Sequence, residues 1–178
     1  MRQPIAAAKS PDRRSRKTRQ ALSDALLSLA GRRAWDEISV QDICDAADVG
    51  RSTFYTHYSG KEALLEAGLR DFGEALRQAA PSREPFGYVA GLIAHVAAER
   101  RVFRSIIGRR SGQAAQARFR EMLLDLVERD LSARLVGDGE LVVRCVVGAL
   151  FEALVLVAEK GRAIDATVVR RRLAALAA

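Results

Sequence analysis

The sequence predicts an all-α protein. Three observations carry that expectation. Only four prolines interrupt 178 residues. No stretch shows the apolar–polar alternation of a half-buried strand. Apolar residues instead recur at three- and four-residue spacings between glycine-marked breaks. With 49% hydrophobic and 29% charged residues, the chain reads as soluble and globular, with ample length for a core. Its net charge of +7 and pI near 10.1 favour an acidic polymer as partner.

Residues 1–12 read as a basic disordered arm, short of apolar side chains and without the apolar run of a signal peptide. Arg2, Lys9, Arg13, Arg14, Arg16, Lys17 and Arg19 face only Asp12 before position 20. Such an arm suits a nucleic-acid backbone or minor groove. A first helix follows from about Arg14 to Ala30. Its stripe is Ala21, Leu22, Ala25, Leu26 and Leu29, and Gly31 closes it. Trp35 in the next loop is expected to pack on a small three-helix core.

Val40, Ile43, Cys44 and Ala47 fall at i, i+3, i+4 and i+7, marking a short amphipathic helix. Ser39 and Asp42 can form a capping box at its start. The pattern breaks at Ala47-Asp48-Val49-Gly50, and a second short helix follows from about Arg51 to His57. Ser59-Gly-Lys-Glu62 opens a further helix with what reads as a second capping box. Two short helices across a tight turn read as a helix-turn-helix, whose second helix can enter a DNA major groove. That second helix crowds Arg51, Ser52, Thr53, Tyr55 and His57 into seven positions. Arg51 can pair bidentately with guanine, and the hydroxyls suit phosphate oxygens. Lys61 lies in the first turn of the following helix, where free N–H groups also attract anions.

Val49-Gly-Arg-Ser-Thr-Phe-Tyr-Thr-His-Tyr-Ser-Gly-Lys-Glu-Ala-Leu64, preceded by Ile38-Ser-Val-Gln-Asp-Ile43, resembles the signature of the TetR/AcrR family of bacterial transcriptional regulators. The resemblance covers roughly residues 16–66 and fades after about Phe72. It implies an all-α homodimer that binds double-stranded operator DNA and is released by a small ligand. It also places Arg51, Ser52, Thr53, Tyr55, His57 and Lys61 at positions that commonly contact DNA, and Ser39 is counted with them. Asp48 departs from the family's usual glycine. That position can require φ > 0, which Asp tolerates better than most residues.

Beyond the head, the helix from Lys61 to about Gln78 carries Leu64, Leu65, Gly68, Leu69, Phe72 and Leu76 and runs into the rest of the chain as a candidate lever. Five more helices are expected, at about 85–98, 100–107, 113–135, 139–160 and 166–177. Phe86, Val89, Ile93, Val96, Phe103, Phe119, Met122 and Leu126 are the candidates for lining an apolar ligand cavity; a solid core is the alternative. Tyr88, His95 and Arg104 are the nearby polar groups. The basic run Arg100, Arg101, Arg104, Arg109 and Arg110 reads either as a solvated turn or as a place for an anionic effector. The 139–160 helix is apolar nearly all round, so it needs burial on every side. Arg144 and Glu152 interrupt it, which argues against a membrane span. Val146, Leu150, Leu154 and Val157 there, with Val169 and Leu173 in the last helix, are the candidates for a dimer interface. Cys44 and Cys145 occupy apolar helical positions and read as reduced core thiols of a cytoplasmic protein.

Enzyme signatures are missing: no G-x-S-x-G, P-loop, G-x-G-x-x-G or H-E-x-x-H occurs. His57 and His95 do not fit a zinc spacing. The chain is therefore expected to use no metal, cofactor or catalytic residue. Its domains are expected at 1–12 (arm), 13–60 (DNA-binding) and 61–178 (sensing and dimerisation). An effector-independent DNA-binding dimer is the other reading.

Overall fold

The computed structural model describes residues 11–80, 85–109, 111–132 and 138–177, and every regular element in them is helical. The elements are α1 (Pro11–Ala30), α2 (Val40–Ala47), α3 (Arg51–His57), α4 (Lys61–Ala79), α5 (Val89–Ala98), α6 (Arg100–Ile107), α7 (Gln113–Leu131), α8 (Gly139–Lys160) and α9 (Ala166–Leu176). A single 3₁₀ turn, Trp35–Glu37, lies between α1 and α2. α1 starts at Pro11, three residues earlier than the periodicity places it. Proline has no N–H to leave unpaired in a first turn. Pro11 and Asp12 thus belong to the helix, and what remains of the expected arm, residues 1–10, lies outside the described residues.

Two further boundaries differ for local reasons. α4 has Gly60 at its N-cap with no side-chain cap bond, so the capping box expected at Ser59 and Glu62 does not form. α5 begins at Val89 rather than 85, because Phe86 holds φ 63° in the left-handed region, which a helix cannot pass through. The Phe86 ring is fully buried, and its N–H donates to Asp130 Oδ2 at 2.6 Å, tying this turn to α7. Part of the expected extension of α7, residues 133–135, lies outside the described residues.

α1 to α3 and the start of α4 form a head around Leu22, Leu26, Trp35, Ile43, Phe54 and Leu64. The core is continuous from there into a bundle in which α4 packs on α7, and α8 packs on α5, α6, α7 and α9. α4 and α7 approach closely at Gly73, where an added Cβ would meet Met122 at 3.3 Å.

α8 runs over the span expected, but its faces are assigned differently. Val146, Leu150 and Leu154 are completely buried within the single chain, Val157 and Leu173 are 2% exposed, and Val169 is half-buried. All of these but Val169 belong to the subunit's own core and have no side chain left to face a partner, which corrects the expected interface at those five positions. An all-round apolar helix conceals which stripe turns inward; here the large aliphatic residues do. The outward stripe of α8 is Leu141, Cys145, Gly148, Ala149 and Glu152, and α9 adds Val168 and Leu176. Cys145 is therefore exposed rather than a core thiol, while Cys44 is buried, and both are unpaired. By length and composition α8 could cross a membrane, with mean hydropathy 2.4, but half of that window is buried in the bundle. Packing, rather than the two charged residues, accounts for its apolarity.

Candidate nucleic-acid interface

The head presents α3 on a rigid frame. The frame begins at the capping box, which forms as the sequence predicts. The Ser39 N–H donates to Asp42 Oδ2 at 2.8 Å, and the Asp42 N–H donates to Ser39 Oγ at 3.1 Å. The Ser39 hydroxyl donates to the same carboxylate at 2.5 Å, and Arg33 pairs with its other oxygen at 2.9 Å. The Ser39 donors and the Arg33 guanidinium hold the Asp42 carboxyl well below the ordinary carboxylate range. Arg33 also donates to the Glu37 carbonyl. Sequence reasoning gave Arg33 no role here; no spacing rule predicts a bond nine residues along the chain.

α2 ends where Asp48 takes φ 52° and ψ 47°, the left-handed geometry expected of this position. The Val49 N–H returns to the Cys44 carbonyl at 3.0 Å, and the chain leaves at a sharp angle into α3. Phe54 is fully buried and anchors α3, with Tyr58 and the edge-on Tyr55 ring against it. Arg51, Ser52, Thr53 and Tyr55 consequently face outward together. The Arg51 guanidinium lies 5.9 Å from the Tyr55 ring centroid, which steadies both side chains. His57 is half-buried beside Tyr58, away from the most exposed group. Thr56 is also exposed, but its hydroxyl donates back to the Ser52 carbonyl.

Two of the predicted contact residues have their side chains engaged within the head. Lys61 Nζ donates to the carbonyls of Trp35 at 2.8 Å and Ile38 at 2.7 Å, and it sits 4.9 Å above the Trp35 ring. Two of its three donors are thereby used in joining α4 to the 3₁₀ turn. The Ser39 hydroxyl is likewise committed to Asp42. Neither is a free phosphate donor in this structure, contrary to the expectation. Both fix the frame on which α3 rides.

The comparisons with known proteins converge on the same segment. Residues 22–67 match the family model described as bacterial regulatory proteins, tetR family. The head of the chain is therefore similar to that of the TetR family. The chain is 42% identical over 63 residues to an uncharacterized HTH-type transcriptional regulator, YxbF, of Bacillus subtilis; the match covers 35% of this chain and 17% of that protein. Over nearly the whole chain its fold resembles a TetR transcriptional regulator from Streptococcus agalactiae, with TM-score 0.68, 23% identity and coverage of 93% and 96% of the two chains. It also resembles NalD, the secondary repressor of the MexAB-OprM multidrug efflux pump in Pseudomonas aeruginosa, with TM-score 0.61, 21% identity and coverage of 92% and 95%.

The residues expected to line a ligand cavity do not enclose one together. Phe86, Val89, Phe119, Val96 and Leu126 are packed solid, and Ile93 and Met122 are nearly so. An apolar groove of about 400 Å³ opens instead between α1, α4, α5 and α6. Of the eight predicted lining residues, Phe103 alone borders it. Leu27, Leu65, Gly68 and Phe72 are among its other apolar walls, with Ser23, His95 and Glu99 as the polar groups. His95 lies against Phe72, with ring centroids 4.6 Å apart, and edge-on to Phe103. The predicted polar partner Tyr88 is buried, and its hydroxyl has no hydrogen-bond partner. Among the described residues, no group of three or more His, Cys, Asp or Glu could hold a metal ion.

Proposed function

We propose that the chain is a cytoplasmic, sequence-specific DNA-binding transcriptional regulator of the repressor type. It acts as a homodimer that presents two copies of α3 to successive major grooves of operator DNA. The observation that carries this reading is the α3 face. Arg51, Ser52, Thr53 and Tyr55 are all exposed on one short helix whose opposite side is locked by Phe54. Arg51, at its first turn, is the base-reading residue, pairing with guanine O6 and N7. Ser52, Thr53 and Tyr55 take phosphates and fix the register. Pairing of two chains through the outward faces of α8 and α9 would set the two α3 helices about 34–36 Å apart, one turn of DNA. This reading has residues 13–60 binding DNA and the remainder dimerising and sensing.

Release by a small hydrophobic effector is the second half of the proposal. Its support is the apolar groove, whose walls come from α1 and α4 of the head and from α5 and α6 of the bundle. A ligand there prefers one angle between head and bundle, and so one spacing of the α3 pair. Since Glu99 is the one acidic group in the lining and no lysine or arginine borders it, the groove suits a neutral or cationic effector. The experiment is selection of genomic DNA fragments by the purified chain, followed by footprinting. An inverted repeat protected as two half-sites supports the reading; protection without sequence preference sinks it.

A further inference from the structure

We propose that the cleft between the end of α1 and the outer side of α6 binds a small phosphate-bearing anion, at a site separate from both the α3 face and the apolar groove. The cleft holds about 580 Å³, and Arg32, Arg33, Arg101, Arg104 and Arg109 all border it. A single carboxylate, Glu159, lies among them. Two of the five arginines are already matched: Arg33 pairs with Asp42, and Arg109 pairs with Glu159. Arg32 is satisfied by a neutral acceptor, donating to Ser28 Oγ at 2.6 Å. Arg101 and Arg104 are exposed, three residues apart on one side of α6, and no carboxylate of the described residues pairs with either. Three guanidiniums, from the turn after α1 and from α6, therefore border one concavity without an ion pair among the described residues. Guanidinium forks match phosphate oxygens bidentately, and crowded cations in a cleft raise the local potential for anions.

The size of the cleft fits an organic phosphate rather than a bare ion, since small-molecule sites span roughly 300–1,000 Å³. Its place in the fold gives the ligand something to act on. Arg32 follows α1 in the head, whereas Arg101 and Arg104 belong to the bundle. The same seam is crossed by the buried Ser105 side chain, whose Oγ donates to the Arg33 carbonyl at 3.0 Å. An anion shared by Arg32 and Arg104 relieves their repulsion and fastens head to bundle.

The test needs no operator. ATP and pyrophosphate are titrated calorimetrically into the full chain at about 0.15 M salt, where exposed charges are screened beyond roughly 8 Å. Saturable uptake of one anion per chain is expected. The doubly substituted Arg101→Ala, Arg104→Ala chain should weaken it about tenfold or more, whereas Arg51→Ala should leave it unchanged. Both arginines are exposed, so the double variant should keep the parent's thermal transition. Tighter binding of ATP than of pyrophosphate seats the nucleoside in the cleft; equal binding assigns recognition to the phosphates alone, and both support the site. The proposal is overturned if neither probe saturates, or if the double variant binds as the parent does. Loss of binding in Arg51→Ala with the double variant intact also overturns it, because the anion then occupies the α3 face.

Discussion

Asp48 and Asp42 show how single residues set the presentation of α3. Asp48 makes the turn by adopting a left-handed geometry that most side chains resist. Asp48→Gly should therefore be neutral or stabilise the chain by up to about 1 kcal/mol, while Asp48→Val should destabilise it by about 1–2 kcal/mol. Thermal melting of the two variants checks the sign. Asp42 joins α2's first turn to Arg33, and its carboxyl titrates below its unfolded value. A depressed folded pKa means the carboxylate stabilises the fold fully above the unfolded pKa of about 3.9 and loses that effect progressively as pH falls from there through the lower, folded pKa. Asp42→Asn should thus melt lower than the parent at pH 7, and the gap should close as pH is lowered below about 5. A gap independent of pH would contradict the assigned bonds.

At the scale of elements, α8 separates what a sequence pattern can tell from what it cannot. Its length and its all-round apolarity were readable from residue types and spacing; the left-handed Gly161 that ends it is a finding of the structure. Which stripe faces inward was not, because hydrophobic periodicity carries no direction when every face is apolar. The same ambiguity placed the ligand residues wrongly: Val89, Val96 and Phe119 have the apolar character of a cavity lining and that of a core alike. In the head, a capping box, a turn residue and a polar helix face occur at fixed spacings, so the motif was legible almost residue by residue. Lys61 escaped because bonds to two carbonyls 23 and 26 residues back are tertiary facts, whereas the Ser39 bond to Asp42 was legible as a capping box.

The two faces of α8 make opposite predictions. Leu150→Glu buries a charge at a position with no exposure and should cost about 4 kcal/mol or more, unfolding the chain. Gly148→Arg adds a side chain where nothing lies within 4 Å of the new Cβ, so the subunit should fold normally. If the outward stripe is the interface, that variant should sediment as a monomer at micromolar concentration while the parent sediments as a dimer. A monomeric parent would remove the basis for the paired reading.

For the whole molecule, the account rests on a head and a bundle joined by α4 and by the α1–α6 seam. Gly73 lets α4 lie close to α7. Gly73→Val should overpack that contact at a cost of about 1–3 kcal/mol and alter operator affinity without touching α3. The central claim is that α3 reads DNA, and Arg51 tests it most directly. The measurement is fluorescence anisotropy of a fragment recovered by genomic selection, titrated with the parent and Arg51→Ala at matched salt. The account predicts that Arg51→Ala loses about 1–3 kcal/mol on the selected fragment and relaxes preference at one base position per half-site. It also predicts that binding to an unrelated fragment changes little. Equal binding of the selected fragment by both proteins would contradict the claim.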